Sequence, residues 1–289
     1  MSHERERSKP APGELTNEQF GVKLPFLDLV SAMLAIICTG LFMDVFLAWG
    51  IVILVDSLPA SSWTLLFWIV FSPALFWILY FIYIGFTVLV TRGFLAYYDK
   101  KSPPTRKVLK RQFKDKTHPD YKQLHYYHMR GAIIKYSLWI TQKSPFPGLM
   151  TRLLRHYGHN EIGNRVMYEN CFPGLEFTTI GDDVAMNPGS SLSTHVVESL
   201  YGNLVIEQIT LGAGSVVGMN SIIGPGIVVP PRFQVGDNNM TYQNWPIVQQ
   251  PGNASTFFNG SPSKQCAVDT MFADGDLKRQ YLAALGRQA

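Results

Sequence analysis

A period of six constrains this chain more than any other feature. From Leu211 the sequence reads LGAGSV, VGMNSI, IGPGIV, VPPRFQ and then Val235-Gly236, each unit opening on an aliphatic residue. The positions in phase are Val205, Leu211, Val217, Ile223, Val229 and Val235 and, upstream, Ile162, Tyr168, Gly174, Ile180, Met186 and Leu192. A helix repeats apolar residues at 3.6 and a strand at two, so neither sustains such a pattern. A three-sided solenoid does: each six-residue unit forms one flat face, three units close a coil, and the aliphatics stack along the axis. Gly214, Asn220 and Gly226 fall where each corner needs a positive φ. The expected fold is mainly β, a left-handed parallel β-helix, an exception to the usual right-handed crossover.

Composition adds a second part. The chain has 289 residues, 47% hydrophobic and 16% charged, with a mean hydropathy of +0.06. That is apolar for a soluble protein and polar for one wholly in lipid, so a membrane part and a separate domain are expected. Residues 1–22 are polar, proline-bearing and aperiodic, a flexible tail. Nearly continuous apolar runs follow from about Leu27 to Val55 and from about Trp63 to Val90. Each exceeds the roughly 20 residues that span a bilayer and the roughly 7–15 of a signal-peptide core. Residues 23–98 are therefore expected to form an N-terminal two-helix transmembrane hairpin, closed by DSLPASS.

The net charge of +4 is unevenly placed. The turn between the runs has no Lys or Arg, whereas Arg5, Arg7, Lys9 and Lys23 precede them. Arg92, Lys100, Lys101, Arg106, Lys107, Lys110, Arg111, Lys114 and Lys116 follow. Positive-inside asymmetry puts both termini and the β-helix domain in the cytoplasm. Directly behind a span, the basic run points to anionic membrane lipids rather than nucleic acid. Asp44, about halfway along the first run, is either held against a partner or polar cavity, or brought near an interface by tilt.

Residues 99–160 form a basic juxtamembrane and interfacial helical linker. Within it, 121–143 has the amphipathic pattern of a helix lying on the membrane or bracing the β-helix. His125 and His128 lack a third ligand nearby, so interfacial packing is expected and no metal site. Residues 144–161 then supply a short helix to cap the first coil. Cys38, Cys171 and Cys266 are far apart and form neither a disulfide framework nor a thiolate metal site. The β-helix domain is placed at 161–265, with a helical tail over 266–289.

The phase breaks once. Leu192 predicts an aliphatic at 198, where Glu198 stands, and the ladder resumes one residue late at Val205. The break contains THVVESLYGNL, and His195 is the only histidine of the solenoid. A slipped coil extrudes a loop and opens a notch, and loops on rigid scaffolds are where function concentrates. There an imidazole can serve as general base toward an amine or hydroxyl. Glu198 would orient it, and corner N–H groups would donate to an oxyanion. One histidine is too few for a γ-type carbonic anhydrase site, which needs three on zinc. The other reading is a non-catalytic membrane-tethered scaffold with His195 idle.

The segment TIGDDVAMNPGSSLSTHVVE, Thr179 to Glu198, resembles the C-terminal domain of ε-poly-lysine-synthetase-type nonribosomal peptide synthetases, within the hexapeptide-repeat acyltransferase superfamily. SPFPGLMTRLLRHYGHNEIGNRV, Ser144 to Val166, resembles that family's lead-in, and residues 27–130 resemble its paired membrane helices. The resemblance implies an acyltransferase that joins a thioester-activated acyl or aminoacyl group to an amine or hydroxyl acceptor. It implies His195 as catalytic base, with Glu198 and Asn187 as companions. NGSPSKQ, Asn259 to Gln265, resembles the element beside the pantetheine arm, although Ser263 replaces the usual alanine. Gly260, Ser261 and Pro262, with Gly218 and Asn220, are the candidate donor-binding residues. No adenylation or carrier domain is present in the sequence, so the co-substrate would be acyl-CoA or a phosphopantetheinyl thioester from another protein, with no permanently bound cofactor. Hexapeptide sites are commonly built between subunits, so a homotrimer is expected.

Overall fold

Two helices open the structure, a computed structural model that describes residues 26–57, 62–111, 115–146, 148–198, 203–241, 256–259 and 264–267. They are α1 (Phe26–Asp56) and α2 (Ser62–Lys101). At about 1.5 Å per residue, the 31 residues of α1 outreach the roughly 30 Å of a hydrocarbon core. Phe42, Val45, Phe46 and Trp49 on α1 and Phe71, Phe76 and Ile78 on α2 are exposed. Both helices are long and apolar enough to cross a membrane.

The second helix runs past the apolar run ending near Val90, and three residues past the expected boundary at 98, and stops before Pro103 and Pro104, which disfavour helix in the residues preceding them. Hydropathy falls at Arg92, but nothing there breaks a helix, and Lys100 and Lys101 complement its C-terminal dipole. Gly40 seats α1 on α2: a Cβ there would lie 2.6 Å from the Tyr83 ring.

After a short strand β1 (Val108–Lys110), α3 (Tyr121–Gln142) falls within the expected segment but does not simply present an apolar face. It packs along α2. The Tyr80 hydroxyl donates to Ile140 O at 2.9 Å, Thr91 and Ser137 share a hydrogen bond at 2.8 Å, and the Tyr83 and Tyr136 hydroxyls are in contact. Arg130 is buried, 3.6 Å from Asp99, and donates to Ser102 O at 3.2 Å. Hydrogen-bonded polar groups bury as readily as apolar ones, which an amphipathic count does not register. His125 stands between Tyr121 and Tyr126, with ring centroids at 6.0 and 5.0 Å, and burial pulls its imidazole below its ordinary range.

The chain forms two compact units, the second taking Arg106–Val108 and the chain from Phe146 to Glu198 and from Asn203 on, so the expected linker is shared: α3 belongs with the long helices, and α4 (Gly148–Leu154) with the strands. The strands are β2 (Glu161–Ile162), β3 (Met167–Tyr168), β4 (Thr178–Ile180), β5 (Ala185–Met186), β6 (Ser191–Leu192), β7 (His195–Glu198) and β8 (Asn203–Ile206). Then come β9 (Ile209–Leu211), β10 (Val216–Val217), β11 (Ile222–Ile223), β12 (Val228–Val229), β13 (Gln234–Val235), β14 (Thr256–Asn259) and β15 (Lys264–Ala267).

These strands build three ladders that the chain visits in rotation. The first holds β2, β4, β9 and β12; the second holds β3, β5, β10, β13 and β14, with β15 antiparallel at its edge. The third pairs β6 with β11 and is extended by bridges from Phe172 to Ser191 and from Ile222 to Met240. Within the first two rounds Ile162 pairs with Ile180 and Tyr168 with Met186, and in the last two Leu211 pairs with Val229 and Val217 with Val235. Ile180, Met186, Leu192, Leu211, Val217, Ile223, Val229 and Val235 form one buried core. The corners take the expected left-handed backbone, with φ of 68° at Gly214, 53° at Asn220 and 78° at Gly226.

Two in-phase positions need correction. Val205 does not lie on a ladder but in β8, buried opposite Val196; strand alternation there mimics the six-residue spacing. Gly174 sits one place off, because Phe172 bridges Ser191, nineteen residues on. Over the first round, Thr151 of α4 donates to Val166 O at 3.3 Å, and Arg155 donates to Ile162 O at 2.9 Å. At the other end, β15 continues past the expected boundary at 265 to Ala267. The expected tail over 1–22 and, beyond Ala267, that over 266–289 lie outside the described residues.

Candidate functional site

Between the second and third rounds the pairing offset jumps. Ile180 pairs with Leu211, thirty-one residues away, where Ile162–Ile180 and Leu211–Val229 on the same ladder are eighteen apart, so thirteen residues are inserted. This is far more than the one-residue slip expected. No flat face accommodates them, and they leave the ladder as an antiparallel hairpin of β7 and β8. His195 pairs with Ile206 at its base and Glu198 with Asn203 at its far end. The base is tied down where the third ladder hands over to the first. Thr194 is buried, Glu207 N–H donates to Thr194 O at 2.9 Å, and the Ser193 hydroxyl donates to His195 O at 2.7 Å. His195 is exposed.

The other expected site residues are placed differently. Three residues of strand separate the His195 and Glu198 backbones by about 10 Å. Asn187, half-buried, occupies the corner after β5, where its N–H donates to Val217 O at 3.0 Å. The third-ladder face carrying Ser191 and Leu192 lies between that corner and the hairpin. Asn220 is an exposed corner residue whose N–H donates to Pro188 O at 3.0 Å. Gly260, Ser261 and Pro262 lie outside the described residues, between paired Asn259 and Lys264.

Gly218 answers a structural demand. A Cβ there would lie 2.5 Å from Gly236 C and 2.6 Å from Asp237 Oδ1 on the next round, and Asp237 accepts from Met219 N–H at 2.7 Å. Gly218→Ala should therefore cost about 1–3 kcal/mol, read as a lower midpoint in denaturant unfolding.

Sequence reasoning assigned Arg106 and Lys107 to lipid, yet both belong to the strand unit. Ile206, the partner of His195, donates its N–H to Lys107 O at 3.1 Å, and the Arg106 guanidinium contacts the Gln208 side chain. Two cationic residues thus stand at the hairpin base, a placement that charge counting along the chain does not reveal. Cys171 is buried in the core, and burial pushes its thiol up to about 12, so it is no nucleophile at neutral pH.

No family model matches the chain, and no curated protein is similar to it. Among solved structures it is similar to serine acetyltransferase from Brucella abortus strain S19, at 13% identity over 64% of this chain and 57% of that one, with a TM-score of 0.33. It is similar to the hexapeptide-repeat containing acetyltransferase VCA0836 from Vibrio cholerae, at 15% identity over 46% of this chain and 86% of that one, TM-score 0.32. It is also similar to AntD, an N-acyltransferase from Bacillus cereus in complex with dTDP and 3-hydroxybutyryl-CoA, at 14% identity over 44% and 74%, TM-score 0.29. The chain thus spans a little over half the length of the Brucella protein.

Proposed function

We propose that the chain is a membrane-anchored acyltransferase whose strand unit is a left-handed parallel β-helix of the hexapeptide type. The observation that supports this is the thirteen-residue extrusion between Ile180 and Leu211, with an exposed imidazole at its base. His195 takes the proton of an amine or hydroxyl acceptor as that group attacks a thioester carbonyl. The new C–N or C–O bond forms, the C–S bond breaks, and the proton passes to the departing thiolate. The donor is acyl-CoA or a carrier-borne phosphopantetheinyl thioester, and an amine acceptor makes the product an amide or isopeptide. Glu198, Asn187 and the residues around 260–262 complete the site, and Arg106 and Lys107 supply charge for donor phosphates. This keeps the resemblance to the poly-lysine-synthetase-type domain as the family reading.

In the same proposal α1 and α2 span the bilayer as a hairpin, with both termini and the β-helix in the cytoplasm and the basic segment against anionic lipid. The enzyme is a homotrimer. Phe172, Ile222 and Met240 leave an apolar column exposed along the outside of the third ladder, beside the hairpin. A neighbouring copy on that column gives the His195 site its second wall. Ile222→Glu should therefore convert the trimer to monomer in size-exclusion with light scattering and lower turnover at least about tenfold, since a charge would have to be buried unpaired. A trimer that persists in the variant would rule out this face.

The exposure of His195 in a single chain also fits the scaffold reading, in which the prism only holds a partner at the membrane. Thiol release from acyl-CoA donors with amine and hydroxyl acceptors separates the two. A scaffold releases none above background.

A further inference from the structure

The acyltransfer reading leaves Asp44 unused. It lies well inside α1, which is otherwise apolar from Leu29 to Val55 apart from Ser31 and Thr39. One carboxyl oxygen is enclosed by protein and has no hydrogen-bond partner among the described residues. No ion pair reaches it there either: those found join Arg130 to Asp99 and Arg165 to Asp183. On α2, Tyr83 packs against Gly40, four residues before Asp44, and its hydroxyl contacts Tyr136 on α3. On α1 itself the other acids are Asp28 and Asp56, at its two ends.

Taking α1 as membrane-spanning, as proposed above, we propose that Asp44 is an intramembrane proton-binding site. A carboxylate in hydrocarbon needs a cation, a set of donors or a proton. The first two are missing among the described residues. A metal ion would need a shell of several oxygens, and the two phenols already engage each other. A proton needs one.

The test uses the full chain in lipid nanodiscs and a hydrophobic carbodiimide, which attacks protonated carboxyls, with adducts located by peptide mass spectrometry. An ordinary aspartate near 3.9 is only about one-thousandth protonated at pH 7. Asp28 and Asp56 are exposed and serve as internal controls. Asp44 should carry at least about ten times the adduct of either at pH 7, and labelling should fall as pH rises. Equal labelling of the three aspartates, or none at Asp44 down to about pH 5, overturns the proposal. So does loss of the Asp44 adduct on replacing choline chloride by sodium chloride at constant pH, which would make the ligand a metal ion. The wild-type comparison decides without any variant, and it stands whether or not thiol release is found.

Discussion

Replacing His195 by alanine should lower thioester turnover by roughly two to four orders of magnitude, the range spanned by a positioned general base. The thermal midpoint should not move. His195 is exposed, and its backbone pairing with Ile206 is one that alanine keeps. Substitutions at such positions usually stay within about 0.5 kcal/mol. Activity and stability therefore separate in one variant, the separation a catalytic role requires. Initial rates of thiol release, measured with CoA donors and then with a carrier-protein donor, read the effect. Equal rates in wild type and variant would leave the imidazole idle and favour the scaffold. A lowered midpoint would instead make His195 a structural residue of the hairpin.

The ladder was legible because stacking imposes one rule on every round: an aliphatic points inward at each sixth residue, and the chain must turn with positive φ between faces. Leu211, Val217, Ile223, Val229 and Val235 obey it, and so do Gly214, Asn220 and Gly226. The size of the insertion was not legible. A β-hairpin also alternates apolar residues, so Val205 falls six before Leu211 while belonging to β8. That coincidence made thirteen inserted residues look like a slip of one.

The helical part failed in the opposite sense. Sequence reasoning ended the hairpin at 98, three residues short of where α2 stops. It read α3 as amphipathic, on the membrane or against the β-helix, although Arg130, Ser137 and Thr141 are buried with partners. For the candidate site, the hairpin's histidine was visible as a lone imidazole at a break in phase. Arg106 and Lys107 were not, because roughly a hundred residues of chain separate them from the strand they adjoin.

Val217→Asp should prevent folding of the strand unit altogether. Val217 has no exposed surface, and its strand stands between Met186 on one round and Val235 on the next. A carboxylate there loses its water and finds only aliphatic neighbours in the core, at a cost of several kcal/mol even after relaxation. Whole domains hold about 5–15 kcal/mol, and a break in the middle of the ladder removes the support of rounds on both sides. Val217→Ala, which leaves a cavity but no charge, should cost only about 2 kcal/mol and still fold. The control is Val228→Asp, on the outward side of β12 and 58% exposed, one residue from wholly buried Val229. It should shift the thermal midpoint by no more than an ordinary surface change. The same charge in two neighbouring rounds then has opposite outcomes, decided only by whether its position is in phase. A sharp wild-type transition in Val217→Asp, or collapse in Val228→Asp, would place the aliphatic axis elsewhere and with it the corner that presents His195.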